Sequence, residues 1–211
     1  MKIKLAVIGS GDLGQQIAHL AVNYCQYELI GFYDDFKEKG TKINDSVCLG
    51  KIDDLLEHFK ENRFDEIVIA VGYKHLEFKK KLYEQLADKV PFATIIHPSV
   101  IKDQTAQIGK GTVIYAGCII DQYAKVGENV LLNLGCCVSH DTIVGAHSFL
   151  SPKVCLAGFV RIGEMNMIGI NTTIIDNITT IGQVHTGGGT VVVKNITKSG
   201  LFVGNPARFV R

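Results

Sequence analysis

Apolar positions in the first ninety residues alternate between two rhythms. Ile3-Lys4-Leu5-Ala6-Val7-Ile8 is a nearly continuous aliphatic run closed by Gly9, the pattern of a buried strand, and from about Gly14 to Tyr24 the apolar residues recur at helical spacing. Leu29 to Tyr33 reads as a second strand, Ile52 to Phe59 as a helix, Glu66 to Val71 as a third strand, and Glu77 to Ala87 as a charged amphipathic helix. Three strands separated by helices predict a parallel sheet with right-handed crossovers. From Ile96 the helical signal gives way to a period of six. Every sixth residue from Ile96 to Ile174 is Ile, Leu or Val, with Lys102 as the only break, and the position four later, from Val100 through Ala106, Thr112 and Cys118 to Ile178, is small or β-branched almost throughout. Short strands joined by tight turns satisfy this pattern. Three of them make one triangular coil, with the aliphatic column stacked inside and each coil hydrogen-bonded to the next at about 4.8 Å.

Two domains are therefore expected, an α/β nucleotide-binding domain over residues 1–92 and a parallel β-helix over 93–211. A net charge of +1, with 22 basic and 21 acidic side chains spread along the chain, gives no field that would draw nucleic acid or an anionic membrane. The expectation is a cytoplasmic protein with small-molecule ligands, since no apolar run reaches the length of a membrane span and no leader pattern precedes the first strand. The six cysteines include no C-x-x-C pair, which argues against a zinc ribbon, and they are expected as thiols that mostly fill core positions.

Candidate chemistry falls in both halves. Gly9-Ser10-Gly11-Asp12-Leu13-Gly14 fits G-x-G-x-x-G between a strand and a helix, with Asp34 twenty residues after Gly14. Gly9, Gly11, Asp12, Leu13 and Gly14 would bring backbone and a helix N-terminus to a phosphate or sugar. Three strands are few for a full dinucleotide site. A mononucleotide or nucleotide-sugar suits the loop better, with NAD(P) and a purely structural turn as the alternatives. Asp34 and Asp35 beyond the second strand, and Gly72 and Tyr73 beyond the third, would face the same crevice and are the further substrate-binding candidates, or else solvated turns. In the repeats, Asn133, Ser139, His140, Asp141 and His147 interrupt an apolar and small-residue pattern. His140 lies two residues past the aliphatic Val138, at a corner where a side chain projects outward, and Asp141 beside it would fix its tautomer. That suits a general base. One coil of eighteen residues later comes Gly158, whose N–H would stack over the histidine as an oxyanion donor, the alternative being a plain turn glycine.

Taken with Tyr33-Asp34-Asp35, Ile69-Ala70-Val71-Gly72, Ile96-His97-Pro98-Ser99, Leu156-Ala157-Gly158, Gly187-Gly188-Gly189 and Phe202-Val203-Gly204-Asn205-Pro206-Ala207-Arg208, the chain resembles the bacterial nucleotide-aminosugar N-acetyltransferases, relatives of the sialic-acid O-acetyltransferases. The resemblance spans essentially the whole chain. It implies a left-handed β-helix, a homotrimer with acetyl-CoA between adjacent helices, no metal, and a nucleotide-sugar on the N-terminal domain. It assigns His140, Asp141 and Gly158 to catalysis, the last also to acetyl-CoA, together with Gly187, Gly188, Asn205, Pro206 and Ala207. The implied reaction is acetyl transfer to the 4-amino group of a UDP- or dTDP-linked 4-amino-4,6-dideoxy sugar for glycan or lipopolysaccharide biosynthesis. Two positions depart from the family's pattern: Asp12-Leu13 stands where Gly-His is usual, and Phe149 where many members carry a second histidine. Alternative readings are a sugar O-acetyltransferase, a zinc hydratase of the γ-carbonic-anhydrase type, and a non-enzymatic scaffold. The hydratase would need three ligands, whereas His140 and His147 are seven apart and His185 lies well beyond.

Overall fold

The computed structural model describes residues 2–211, which divide into two compact units between Ile95 and Ile96. In the first, β1 (Ile3–Ile8), α1 (Asp12–Tyr24) and β2 (Tyr27–Tyr33) form the opening unit, followed by the hairpin β3 (Lys42–Ile43) and β4 (Ser46–Gly50), then α2 (Leu55–Lys60), β5 (Glu66–Ile69) and α3 (Leu76–Leu86). The strand order is β3-β4-β2-β1-β5, parallel except for the β3–β4 pair. The sheet thus has five strands rather than the expected three. Ala6, Ile8, Ile67 and Ile69 pack against Leu55, Leu82 and Leu86 from the helices, and Tyr33 buries its hydroxyl on His58 Nδ1 at 2.7 Å. Because β1 has β2 on one side and β5 on the other, both parallel to it, the strand order reverses at β1 and its carboxyl end is a topological switch point.

In the second unit the six-residue period becomes three flat faces. The first face stacks Ile101–Lys102, Ile119–Ile120, Cys137–Val138, Cys155–Leu156, Thr173–Ile174 and Val191–Val192. A second stacks Gln107–Ile108, Lys125–Val126, Ile143–Val144, Arg161–Ile162 and Thr179–Thr180, and the third includes Val113–Ile114, Leu131–Leu132, Phe149–Leu150 and Met167–Ile168. Partners are eighteen residues apart, Ile119 beside Cys137 beside Cys155. The aliphatic column from Ile114 to Ile174 is buried, as is the small-residue column from Ala106 to Ile178. Where that second column holds a hydroxyl, the hydroxyl closes a coil-to-coil link. Thr112 donates to Gly127 O at 2.8 Å and accepts from Val130 N–H at 3.0 Å, and Thr142 does the same with Ala157 O and Val160 N–H. These buried hydroxyls are thereby satisfied, which a bare hydroxyl would not be. Lys102, the break in the column, turns its ammonium onto Asp103 O and Ala106 O at the first coil. A hairpin, Gly200–Val203 with Arg208–Phe209, ends the third face. All six cysteines are free thiols, and no helix among the described residues is long and apolar enough to cross a membrane.

Candidate active site

Corners are where side chains leave a β-helix, and the corner between the first and second faces carries the residues marked out by their chemistry. Ser139 N–H is tied to Leu156 O and Asp141 N–H to Gln122 O, each at 3.0 Å, so the backbone is fixed on both sides of His140. Asp141 sits at φ 57°, a left-handed conformation that Asp adopts more readily than most residues. Its Oδ2 lies 3.1 Å from His140 Nδ1. A carboxylate only accepts, so this bond places the proton on Nδ1 and leaves Nε2 of the neutral ring with a lone pair. The two side chains are 41% and 38% exposed, so the contact orients the imidazole more than it stabilises the fold.

Gly158 stacks directly on this ring. A Cβ at Gly158 would lie 2.5 Å from His140 Cε1 and 2.6 Å from Nε2, a separation that real Cβ atoms essentially never show. Glycine is required here by the approach of the imidazole. The Gly158 carbonyl accepts from Asn177 N–H at 3.1 Å, while its own N–H meets no acceptor among the described residues. A ring nitrogen with a free lone pair beside an unspent backbone donor is the arrangement that acyl transfer needs, a base and an oxyanion donor within one small space. Phe159, absent from the sequence-based assignment, adds a third group: its ring stands edge-on to the imidazole at 5.2 Å and 86°. The signal that would have found it is the period itself, because Phe159 stacks eighteen residues after Asp141.

Other members of the polar set lie apart. His147 is buried at the corner between the second and third faces with Nδ1 3.1 Å from Asn129 Nδ2, and Asn133 sits at the corner between the third and first. Phe149 is buried on the third face, flanked by Leu131 and Met167. No group of three or more His, Cys, Asp or Glu among the described residues is arranged to hold a metal. Gly187 and Gly188 occupy the last corner between the third and first faces, where Gly187 N–H donates to Phe202 O and Val191 N–H to Gly204 O. The turn Asn205-Pro206-Ala207 docks on the same coil through Ala207 N–H and Val191 O at 2.8 Å. These five residues form one surface, at a different corner from His140 but flanking the same first face.

In the first unit the candidates gather at the carboxyl ends of β1, β2 and β5. Gly9 adopts φ +98°, and a Cβ there would meet Ala70 O at 3.0 Å; Gly14 backs so closely on Gly9 O that no side chain fits. Gly11 caps α1 without a side-chain bond, and the N–H groups of the first turn, Asp12, Leu13 and Gly14, have no backbone acceptor among the described residues. Asp34 is already engaged, accepting from Ser10 N–H and Phe36 N–H at 2.9 Å each and from the Ser10 hydroxyl. Burial pushes its pKa up, but the Ser10 and Phe36 donors and nearby Lys37 outweigh that and hold it below the ordinary value. Asp34 therefore shapes the loop. Asp35 is exposed, with Oδ1 on Ile52 N–H at 2.9 Å, and Gly72 caps the short turn that presents Tyr73 to solvent. A cavity of about 520 Å³ between α1, β2 and the β3–β4 hairpin contains none of these residues.

With this geometry established, the comparisons are specific. Residues 4–86 match the PglD N-terminal domain family. The acetyltransferase domain of PglB from Neisseria gonorrhoeae is 30% identical over 99% of this chain and 100% of that one, with a TM-score of 0.90. The structure of that domain in complex with acetyl coenzyme A gives 31% identity, full coverage of both chains and a TM-score of 0.90. PerB from Caulobacter crescentus, in complex with CoA and GDP-perosamine, is 25% identical over 97% of this chain and 96% of that one, with a TM-score of 0.89. The chain belongs to the bacterial sugar N-acetyltransferases, acetyl-CoA-dependent enzymes that join a PglD-type N-terminal domain to a hexapeptide-repeat β-helix.

Proposed function

We propose that this enzyme transfers the acetyl group of acetyl-CoA to the 4-amino group of a nucleotide-linked 4-amino-4,6-dideoxy sugar, with His140 as the general base. The observation that carries the assignment is the stacking of Gly158 on the His140 ring, with Nδ1 held by Asp141. The sugar amine attacks the thioester carbonyl carbon while His140 Nε2 accepts the proton that the nitrogen loses. Negative charge gathers on the former carbonyl oxygen, beside the Gly158 N–H. Collapse of this intermediate breaks the carbon–sulfur bond, and the imidazolium returns its proton to the departing CoA sulfur. Asp141 keeps the ring in the required tautomer and offsets its transient charge.

The loop from Gly9 to Gly14, with Asp35, Gly72 and Tyr73, would hold the nucleotide. Open N–H groups at the start of α1 favour a phosphate there. Gly187, Gly188, Asn205, Pro206 and Ala207 would line the far end of the acetyl-CoA groove. Exposed apolar side chains beside the first face, Ile119, Leu134 and Ile170, support packing of a second and third copy, and so the homotrimer with acetyl-CoA between adjacent β-helices. The nucleotide is expected to be UDP or dTDP. PerB binds GDP-perosamine, so the decisive assay measures thiol release from acetyl-CoA over UDP-, dTDP- and GDP-linked 4-amino-4,6-dideoxy sugars. One member should yield CoA thiol and N-acetylated sugar in equal amounts. Release with none of them would refute the assignment.

A further inference from the structure

Ser10, in the loop that opens α1, is fully buried with every polar group spent. Its N–H and hydroxyl go to Asp34 Oδ2, and its carbonyl accepts from Gln15 Nε2 at 3.1 Å. The helix ladder does not supply that last bond. Gly11 is the N-cap, and the backbone N–H of Gln15 already goes to Gly11 O at 3.0 Å, so Ser10 O lies one residue outside the ladder. Gln15 therefore holds two successive carbonyls, one through its backbone and one through its side chain.

The orientation of that carbonyl decides what the next N–H can do. A trans peptide is planar, with its C=O and N–H pointing in opposite directions. Holding Ser10 O on Gln15 turns the Gly11 N–H the other way, and this N–H has no acceptor among the described residues. It joins those of the first turn as an open donor. Turning the Ser10–Gly11 peptide over would put a carbonyl in its place, whose partial negative charge repels a phosphate. The backbone does little to prevent that. The flip would take Gly11 from φ −69° to positive φ, which glycine adopts at little cost, and nothing lies within 4 Å of where a Cβ would stand. Asp34 fixes only the preceding peptide, through the Ser10 N–H. What holds the plane is the Gln15 amide, and that amide is aimed from outside the helix. Asn44 Nδ2 donates to Gln15 Oε1 at 2.7 Å, which leaves the Gln15 NH₂ for Ser10. Asn44 is exposed at the turn of the β3–β4 hairpin, at φ 50°, a conformation that Asn tolerates. Both residues line the 520 Å³ cavity between α1 and the hairpin, so a hydrogen bond rather than apolar packing joins the two elements there.

Resting on the reading that the Gly9 to Gly14 loop holds the nucleotide, we propose that Gln15 is a positioning residue for that loop. It keeps the Ser10–Gly11 peptide with its N–H, and not its carbonyl, toward the phosphates, and Asn44 of the hairpin sets the orientation of the Gln15 amide. The test uses the full chain, with calorimetric Kd for UDP, dTDP and GDP and steady-state thiol release as readouts. Gln15→Met keeps the length of the side chain and removes both hydrogen bonds; it should weaken the nucleotide that wild type binds by about three- to tenfold, the span of one hydrogen bond. KM for acetyl-CoA and kcat at saturating substrates should stay within about twofold, a split that general loss of folding would not give. Asn44→Gly deletes the amide and keeps the left-handed turn; it should weaken the nucleotide by a smaller factor. Because Asn44 acts through Gln15, the double variant should match Gln15→Met alone. Unchanged nucleotide Kd in either single variant, an equal loss for acetyl-CoA, or additive losses in the double variant would overturn the positioning role. A wild-type chain that binds none of the three diphosphates would overturn the nucleotide loop along with it. One that binds a nucleotide and shows these shifts but releases thiol with no sugar would refute the proposed reaction and leave the role of Gln15 standing.

Discussion

Gly158→Ala isolates the geometry of the site with a single methyl group. The added Cβ would lie 2.5 Å from His140 Cε1, and an ordinary contact begins at 3.4 Å, so the imidazole must retreat by 0.9 Å. The ring can retreat, because the obstacle is the end of a partly exposed side chain rather than backbone. Gly158 is also not among the residues at positive φ, so alanine is not strained there. Folding should therefore be nearly unaffected. Catalysis should not be, since moving a base by about 1 Å costs on the order of 10²-fold in rate, or about 2.7 kcal/mol of transition-state stabilisation. The same movement stretches the 3.1 Å contact to Asp141. Thiol release at saturating acetyl-CoA should show kcat lowered about 10²-fold, with a thermal midpoint within about 2 °C of wild type. A variant with kcat within threefold of wild type would refute the idea that the His140–Gly158 approach is the reacting centre.

Other expected outcomes test the remaining assignments. His140→Asn should lower kcat by about 10²–10⁴-fold in the same assay with little change in either KM. Asp35→Ala should weaken nucleotide-sugar binding measured by calorimetry while leaving acetyl-CoA affinity unchanged; equal loss for both ligands would make Asp35 structural. Phe149→His, which restores the family's usual residue, should destabilise the fold by about 1–3 kcal/mol on denaturant titration because the side chain is buried, and should change turnover at most a few-fold. Asp34 titrates below the ordinary aspartate value when folded, so its contribution is present above the unfolded pKa and is lost as pH falls through the folded one. Asp34→Asn should reduce stability at neutral pH and remove that acid limb from the pH–stability curve.

Much of the β-helix was legible because its period is the structure. An aliphatic residue every six positions and a small one four later define strands and corners, and three such units make the eighteen-residue coil that sets Gly158 over His140. The α/β half was less legible. Lys42–Ile43 and Ser46–Gly50 are too short and mixed to show a period, and they exist as strands because β4 finds a parallel partner in β2. Asp34 was readable as a carboxylate beyond a strand but not as one already spent on Ser10, since that contact depends on the β1 and β2 ends being adjacent. Phe149 could be recognised as a departure from the family's histidine. Its burial on the third face could not be read from the sequence.

The fold also gives a reason for the proposed chemistry to sit at a corner. Along the faces, each two-residue strand bonds to the coils on either side, as Ile119 N–H does to Cys136 O and Cys137 N–H to Val154 O, so those backbone donors are committed. At the corners the chain turns through left-handed conformations, and a donor such as the Gly158 N–H is left without a partner in the coil. The same turn points His140 and Asp141 away from the aliphatic column, whose members Val138 and Leu156 are fully buried beneath them. Rigidity and availability are thus separated by only two residues along the chain. The packed column fixes the height of each coil, and the corner above it offers a nitrogen lone pair and an N–H whose spacing the column sets. In the proposed mechanism, acyl transfer depends on that spacing more than on any unusual reactivity of the groups themselves.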